Sequence, residues 1–444
     1  MTPGPAPAEC FRYDGYEFDP ILGRLTCRYS LGERRFAEQI TFGSEGDWAQ
    51  PALDAAARLV FLLVGVSYYK TVAPPVVDLG DLATTERERR FLRTYYLEGL
   101  GEFAYRNGID LSGLTVVGPD LAHRAPTLFA PDNSRPLVPF GGGIDSIVTV
   151  ESVRLGFPGT AIFIVSKEDD RFDAIERPAQ MTGLPIIRAE RALDPQVLAS
   201  AELGFLNGHV PVTGIISAIA VMAAVLHNRG AVVMSNEWSA SVGNLIVDGR
   251  AVNHQWSKGL EFELAFREIL RDTFDPGVEY FSLLRPYTEL WVARQFAELR
   301  RYHRAFRSCN RAFHIERTER FDRWCGECDK CCFINLILAP FLDPYDFFMV
   351  FDGREPLANP GLEGRFRALL GNWPEVKPFE CVGDEEECRA AVLLAASRPD
   401  RAHNKIIQAL AAELREAGAG SIGTDTLLAP MGDHCVPDVY ATQG

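Results

Sequence analysis

The segment from Pro136 to Glu237 constrains the fold more than any other part of this chain. "PLVPF" is a short strand pattern, "IDSIVTVESVRLG" a helix pattern ending at Gly156, and "TAIFIVS" a second strand with a continuous apolar run. "FDAIERPAQMTG" then reads as a helix, "LPIIRAE" as a third strand, "VTGIISAIAVMAAVLHNRG" as a long apolar helix and "AVVMSNE" as a fourth strand. Continuous apolar runs suit strands buried on both faces, and strand-helix alternation joins such strands in parallel. The expected fold class is therefore α/β, with a doubly wound parallel sheet.

The flanks read differently. "FRYDGYEF", "GRLTCRYSL" and "RRFAEQITF" are short alternating runs interrupted by Asp14-Gly15 and Gly32-Glu33, which predicts an antiparallel meander. Helical spacing follows at Leu53 to Tyr69 and at Glu86 to Asn107. The Pro-rich connector "APTLFAPDNSRP" marks a boundary. With 444 residues, two or three domains are expected: an N-terminal α+β domain (1–130), the doubly wound domain (131–342) and a helical C-terminal region (343–444). No apolar run approaches a membrane span, and "MTPGPAPAEC" lacks a secretory pattern, so a cytoplasmic protein with no membrane partner is expected. A net charge of -15 argues against a nucleic-acid partner, but a local basic pocket suffices for a small anion. Oligomeric state is not legible.

"FGGGIDS" follows a strand and opens a helix, where unpaired amides and the helix dipole favour an anion. It lacks the Lys-Ser/Thr ending of a Walker A loop and the last glycine of the dinucleotide fingerprint. A tight glycine turn with Asp145 or Ser146 as N-cap is the plain alternative. The loop resembles the Ser-Gly-Gly-x-Asp-Ser motif of the N-type ATP pyrophosphatases, or PP-loop enzymes. That resemblance implies a PP-loop fold, ATP binding by Gly142, Gly143, Asp145 and Ser146, and release of AMP and pyrophosphate. Gly141 stands where the motif has its first Ser, so one hydroxyl donor is missing. In that family the second strand, here up to Ser166, borders the adenine, and Mg offsets the phosphate charge.

Ten cysteines do not make a disulfide scaffold in a chain of this length. Cys309 with "WCGECDKCCF" gives Cys325, Cys328 and Cys331 at two consecutive Cys-x-x-Cys steps, a set that suits tetrahedral zinc. Cys332 breaks the spacing. The layout resembles 7-cyano-7-deazaguanine synthase, itself a PP-loop enzyme, which implies a structural zinc. Reduced buried thiols are the plain alternative.

Polar residues crowd three stretches. "NGHVPVTG" holds His209; "MSNEWSASVGN" holds Asn236 and Glu237 just past the fourth strand; "AVNHQWSKGLEFE" holds Asn253, His254, Gln255 and Lys258. Ligands in doubly wound sheets sit beyond the carboxyl ends of strands, so Asn236, Glu237, Asn253 and Gln255 are substrate-binding candidates. Arg250, Arg285 and Lys258 are the cations available to neutralise a carboxylate or phosphate. "NHQWSKGLEFE", "WCGECDKCCF" and "KPFECVGDEEE" resemble the UDP-N-acetylmuramoyl-L-alanyl-L-glutamate epimerase family over nearly the full length.

That resemblance implies an ATP- and Mg-dependent enzyme of peptidoglycan precursor synthesis, and so of cell shape. It would invert the terminal L-glutamate of a UDP-N-acetylmuramoyl-dipeptide, releasing AMP and pyrophosphate. The chemistry is coherent, because adenylation removes the carboxylate charge that otherwise keeps the α-proton in place. His209, His254, Lys258, Glu380 and Cys381 are the candidate acids and bases. Two alternatives remain: a PP-loop enzyme acting on a base or tRNA by nitrile or thiol transfer, and a non-catalytic nucleotide-binding protein.

Overall fold

The computed structural model describes residues 10–243, 245–247, 250–314, 317–371, 382–418 and 423–441. Its strands are β1 (Cys10–Asp19), β2 (Arg24–Leu31), β3 (Arg34–Thr41), β4 (Val76–Asp78), β5 (Thr115–Val117), β6 (Thr127–Phe129) and β7 (Pro136–Pro139). There follow β8 (Ala161–Lys167), β9 (Ile186–Ala192), β10 (Ala231–Met234), β11 (Leu245–Val247), β12 (Arg250–Val252), β13 (Phe274–Pro276) and β14 (Glu279–Ser282).

Ten strands form one mixed sheet in the order β14-β10-β7-β8-β9-β3-β2-β1-β4-β5. The run from β14 to β9 is parallel throughout. The N-terminal meander forms as its alternation predicts, but it is not a separate sheet: β3 pairs antiparallel with β9 through Gln39–Ala192, Ile40–Arg191 and Thr41–Glu190. Arg191 reinforces this seam, its Nε donating at 2.7 Å to fully buried Glu38.

Alternate strand residues enter opposite layers, as a pleat of period two requires. Leu137, Ala161, Phe163, Val232 and Tyr280 join one core with helix Val212–Leu226. Val138, Ile162, Ile164, Val233 and Phe281 join the other with helices Ile144–Gly156 and Glu289–Glu298. Helices thus cover both faces of the parallel section. The chain runs from β7 outward to β8 and β9, then returns to the far side of β7 for β10 and β14. The reversal opens a crevice between β7 and β10, the place where doubly wound sheets bind ligands.

Two predicted helices are each broken once, the first at Gly65 and the second at Leu100. The first splits into Leu53–Val64 and Val66–Tyr69 at Gly65, where a side chain would sit 2.5 Å from the Tyr13 hydroxyl. The second splits into Glu86–Gly99 and Gly101–Asn107, where a side chain at Gly99 would press on Pro211. Among the described residues no helix is long and apolar enough to cross a membrane.

Candidate active site

The glycine loop leaves the carboxyl end of β7 and enters helix Ile144–Gly156. Gly142 takes φ +74°, and a Cβ there would lie 2.5 Å from the Ala174 carbonyl oxygen. A Cβ on Gly141 or Gly143 would instead meet no atom within 4 Å, so the loop is open where a ligand would lie. The N-cap is Gly143, without a side-chain cap, which replaces the expectation that Asp145 or Ser146 caps the helix. Ser146 sits in the first turn and donates its hydroxyl to the Gly143 carbonyl at 3.0 Å. Ser166, near the end of β8, is half-buried and lies on the adjacent strand.

These contacts give a paired expectation. Gly142→Ala forces both a positive φ and a backbone clash, so it should cost about 1–3 kcal/mol of stability. Gly141→Ser adds a hydroxyl in open space and should change stability by no more than about 0.5 kcal/mol. Thermal unfolding separates the two variants; a severe loss in Gly141→Ser would mean that the loop is not open at this position.

Three carboxylates meet at the crevice. Oxygens of Asp145, from the glycine loop, Glu237, just past β10, and Glu289, at the start of its helix, lie within 4.8 Å of one another. Glu237 and Glu289 are buried, and Glu289 Oε2 has no hydrogen-bond partner among the described residues. Burial, then the charge of Asp145, holds the Glu289 carboxyl well above the ordinary glutamate range. Fully buried Glu387 stands behind it, accepting from the Leu290 amide at 3.0 Å, and burial pushes its carboxyl up to about 8. Lys330 is the cation that offsets this charge at Glu289. Converging hard oxygens with an orphaned buried acceptor fit a divalent cation such as Mg2+.

Arg285 departs from the expected substrate contact. It is 1% exposed, and its guanidinium is engaged by Glu263 Oε2 at 3.1 Å, the Glu237 carbonyl at 2.8 Å and the Lys258 carbonyl. It therefore ties the end of β10 to the His254–Lys258 stretch. Asn253 also turns inward, donating to the Ala240 carbonyl at 3.0 Å and accepting from the Gln255 amide at 2.8 Å. Gln255 Oε1 is buried with no partner among the described residues. Asn236 is buried, its amide donating to Ser282 Oγ. Arg250 lies in β12, but its side chain falls outside the description, and Glu380 and Cys381 lie outside the described residues.

His209 and His254 come together although 45 positions separate them. Their ring centroids are 4.2 Å apart, and His254 Nδ1 is hydrogen-bonded to Glu102 Oε2. Glu102 was not a candidate from sequence, nor were Glu289 and Glu387. Lys258 is half-buried beside this group, and its charge acts on His209.

The four predicted cysteines converge on a separate centre. The sulfurs of Cys309, Cys325, Cys328 and Cys331 lie within 4.8 Å of one another, and all four are free thiols. Amides of Glu327 and Cys328 donate to Cys325 Sγ at 3.4 and 3.3 Å, and that of Cys325 to Cys309 Sγ at 3.3 Å. Gly326, at φ +75°, lets the knuckle turn. Four sulfurs with amide donors fit a thiolate-bound metal ion such as zinc. Cys332 is buried next to the set but is not one of the four.

The sequence model of the MurL N-terminal domain matches residues 4–283, and that of the MurL C-terminal domain matches 305–424. The chain belongs to the MurL family. A Xanthomonas oryzae pv. oryzae relative is 39% identical over 390 residues, covering 87% of this chain and 84% of its own. A Salinispora tropica relative is 37% identical, covering 98% and 95% respectively. A Micromonospora sp. relative is 36% identical, covering 98% and 97%. All three are named UDP-N-acetyl-alpha-D-muramoyl-L-alanyl-L-glutamate epimerase. The N-terminal match includes Asp145 and Glu237, the C-terminal match includes the four cysteines, and Glu289 lies between the two matches. No solved structure matches the chain.

Proposed function

We propose that this chain is an ATP-dependent epimerase that inverts the terminal glutamate of UDP-N-acetylmuramoyl-L-alanyl-L-glutamate, in the cytoplasm, as a step of peptidoglycan precursor synthesis. The observation that carries the ATP part is the acidic trio beside an open glycine loop at the sheet's switch point. Family membership and the relatives' names carry the substrate. On this reading the parallel section is a PP-loop domain. ATP, when bound with Mg2+, supplies the adenylyl group that neutralises the glutamate carboxylate and turns it into an electron sink.

The protein's share is positioning and charge. The first-turn amides of helix Ile144–Gly156 hold phosphate, with Gly141 and Gly143 leaving room for close approach. Asp145, Glu237 and Glu289 would hold Mg2+ against it. Gln255 offers an unsatisfied carbonyl to the substrate. Zinc at Cys309, Cys325, Cys328 and Cys331 would be structural, since four protein ligands leave no open position.

The test is incubation in heavy water with Mg-ATP and the UDP-linked L-dipeptide, reading deuterium at the glutamate α-carbon together with AMP. Deuterium and AMP appearing together, and only with ATP, is the expected result. AMP without deuterium would replace the epimerase with another PP-loop reaction, and neither signal would overturn the ATP reading too.

A further inference from the structure

Building on the epimerase reading, we propose that His209, His254 and Glu102 form the proton-exchange array for the glutamate α-carbon, with His209 as the base, His254 as its proton partner and Glu102 as the positioning residue. Three chain segments distant in sequence converge to make it. Glu102 lies on the short helix Gly101–Asn107, His209 on the loop before helix Val212–Leu226, and His254 just before the turn at Trp256–Lys258.

Glu102 holds His254 in a definite state. Its Oε2 takes the His254 Nδ1 hydrogen bond, while Oε1 meets Arg106 Nε at 2.5 Å. The carboxylate is buried, with 6% of its side chain exposed. Burial opposes its ionisation, but His254, His209 and Arg106 outweigh that and keep its carboxyl below the ordinary range. A buried carboxylate on Nδ1 fixes the imidazole's tautomer and orientation.

Burial lowers the pKa of His209 to about 4, aided by the charges of His254, Lys258 and Lys70 and opposed by Glu102. It is therefore neutral, and able to accept a proton, at neutral pH. A buried neutral imidazole in ring contact with a second imidazole anchored to a carboxylate is an arrangement suited to proton exchange. The loop that carries His209 is pinned by Lys70 Nζ, which donates to Asn207 Oδ1 at 2.9 Å and to the Gly208 carbonyl at 3.0 Å. A ring that merely filled a core would require neither the carboxylate nor the pinned loop.

The array is also coupled to the crevice. Arg285 binds the carbonyls of both Lys258 and Glu237, and Asn253 binds that of Ala240. The segment carrying His254 is thereby fixed to the segment carrying the Mg2+ candidate Glu237. In the step itself the α C–H bond breaks, its electron pair moves into the activated carboxyl group, and the proton goes to His209. A proton from the array then re-forms the C–H bond on the other face of the planar carbon. Passage of the proton from His209 to His254 then restores both rings, with no net oxidation or reduction.

The experiment uses the full chain in heavy water with Mg-ATP and the L-dipeptide substrate, comparing wild type with His209→Asn, Glu102→Gln and Glu102→Asp. His209→Asn is expected to lose about 100-fold in deuterium incorporation while AMP formation stays within a few-fold. Glu102→Gln should lower kcat for exchange with little change in KM and shift its pH profile, and Glu102→Asp should recover part of the loss. Normal exchange in His209→Asn, or parallel loss of AMP and deuterium in folded protein, would overturn the assignment. So would a stoichiometric transition metal that disappears with His209→Asn, since two imidazoles and a carboxylate also suit a metal. Failure of wild type to make AMP or exchange deuterium would sink the epimerase reading instead.

Discussion

Glu237→Gln is expected to lower Mg-dependent AMP formation roughly 100-fold or more, while the metal-free protein becomes more stable. Both effects have one cause. Asp145, Glu237 and Glu289 crowd three carboxylates into a partly buried crevice, with Glu387 behind them. With a divalent cation in place the charges are ligands; without it they repel. The upward displacement of the Glu289 carboxyl owes most to burial, and repulsion from Asp145 and then Glu237 adds to it.

The pH dependence follows in sign. Glu387 titrates at about 8 in the folded chain against an ordinary value of 4.5, so between those values the folded state holds a proton that the unfolded state has released. Stability without Mg2+ should therefore fall as pH rises through that window, by up to several kcal/mol. Glu387→Gln should flatten the fall. Melting curves at pH 5 and pH 8.5, with and without Mg2+, read all of this. Unaltered AMP formation by Glu237→Gln would remove Glu237 from the metal site. A metal-free stability that rises with pH would mean the acids are not jointly buried.

What could be read from the sequence was what is local in it. The glycine loop is one uninterrupted heptapeptide, and three of the four clustered cysteines fall within seven positions. Their chemistry depends on spacing a few residues long, so their geometry follows directly. The parallel section was legible for the same reason, since apolar runs and glycine stops repeat there. The join of β3 to β9 is a register between residues about 150 positions apart, and nothing in either strand's own pattern announces it.

The site acids were hidden by innocuous local explanations. Glu289 follows Thr288, which caps the helix by accepting from the Trp291 amide, so an acid there fits an ordinary helix start. Glu102 and Arg106 have the spacing of an exposed helix pair. Only the fold shows that Glu102 faces inward onto His254. Arg285 shows the converse. It reads as a cation available for phosphate, but Glu263 from the preceding helix and two carbonyls engage it.

Cys328→Ser is expected to release one zinc ion per chain and to lower the melting temperature by about 10 °C or more. Structural zinc bound by thiolates contributes directly to folding, on the order of 10 kcal/mol in small zinc modules. Here the consequence should also reach the active site. Cys328 caps helix Asp329–Leu338 and Cys331 lies in its first turn. That helix packs against helix Glu289–Glu298 and helix Glu385–Ala396, which bear Glu289 and Glu387, and it carries Lys330, whose charge acts on Glu289. Loosening the zinc end should therefore weaken Mg2+ binding, seen as a raised Mg2+ requirement for AMP formation. Cys332→Ala is the control, because Cys332 is buried beside the cluster but outside the four. It should retain zinc and lose only the packing of a small buried side chain, about 1 kcal/mol. If Cys332→Ala lost zinc and Cys328→Ser retained it, the ligand set would be wrong. If Cys328→Ser lost zinc with no change in its Mg2+ requirement, the cysteine centre would be a stabilising clamp with no hold on the acidic crevice.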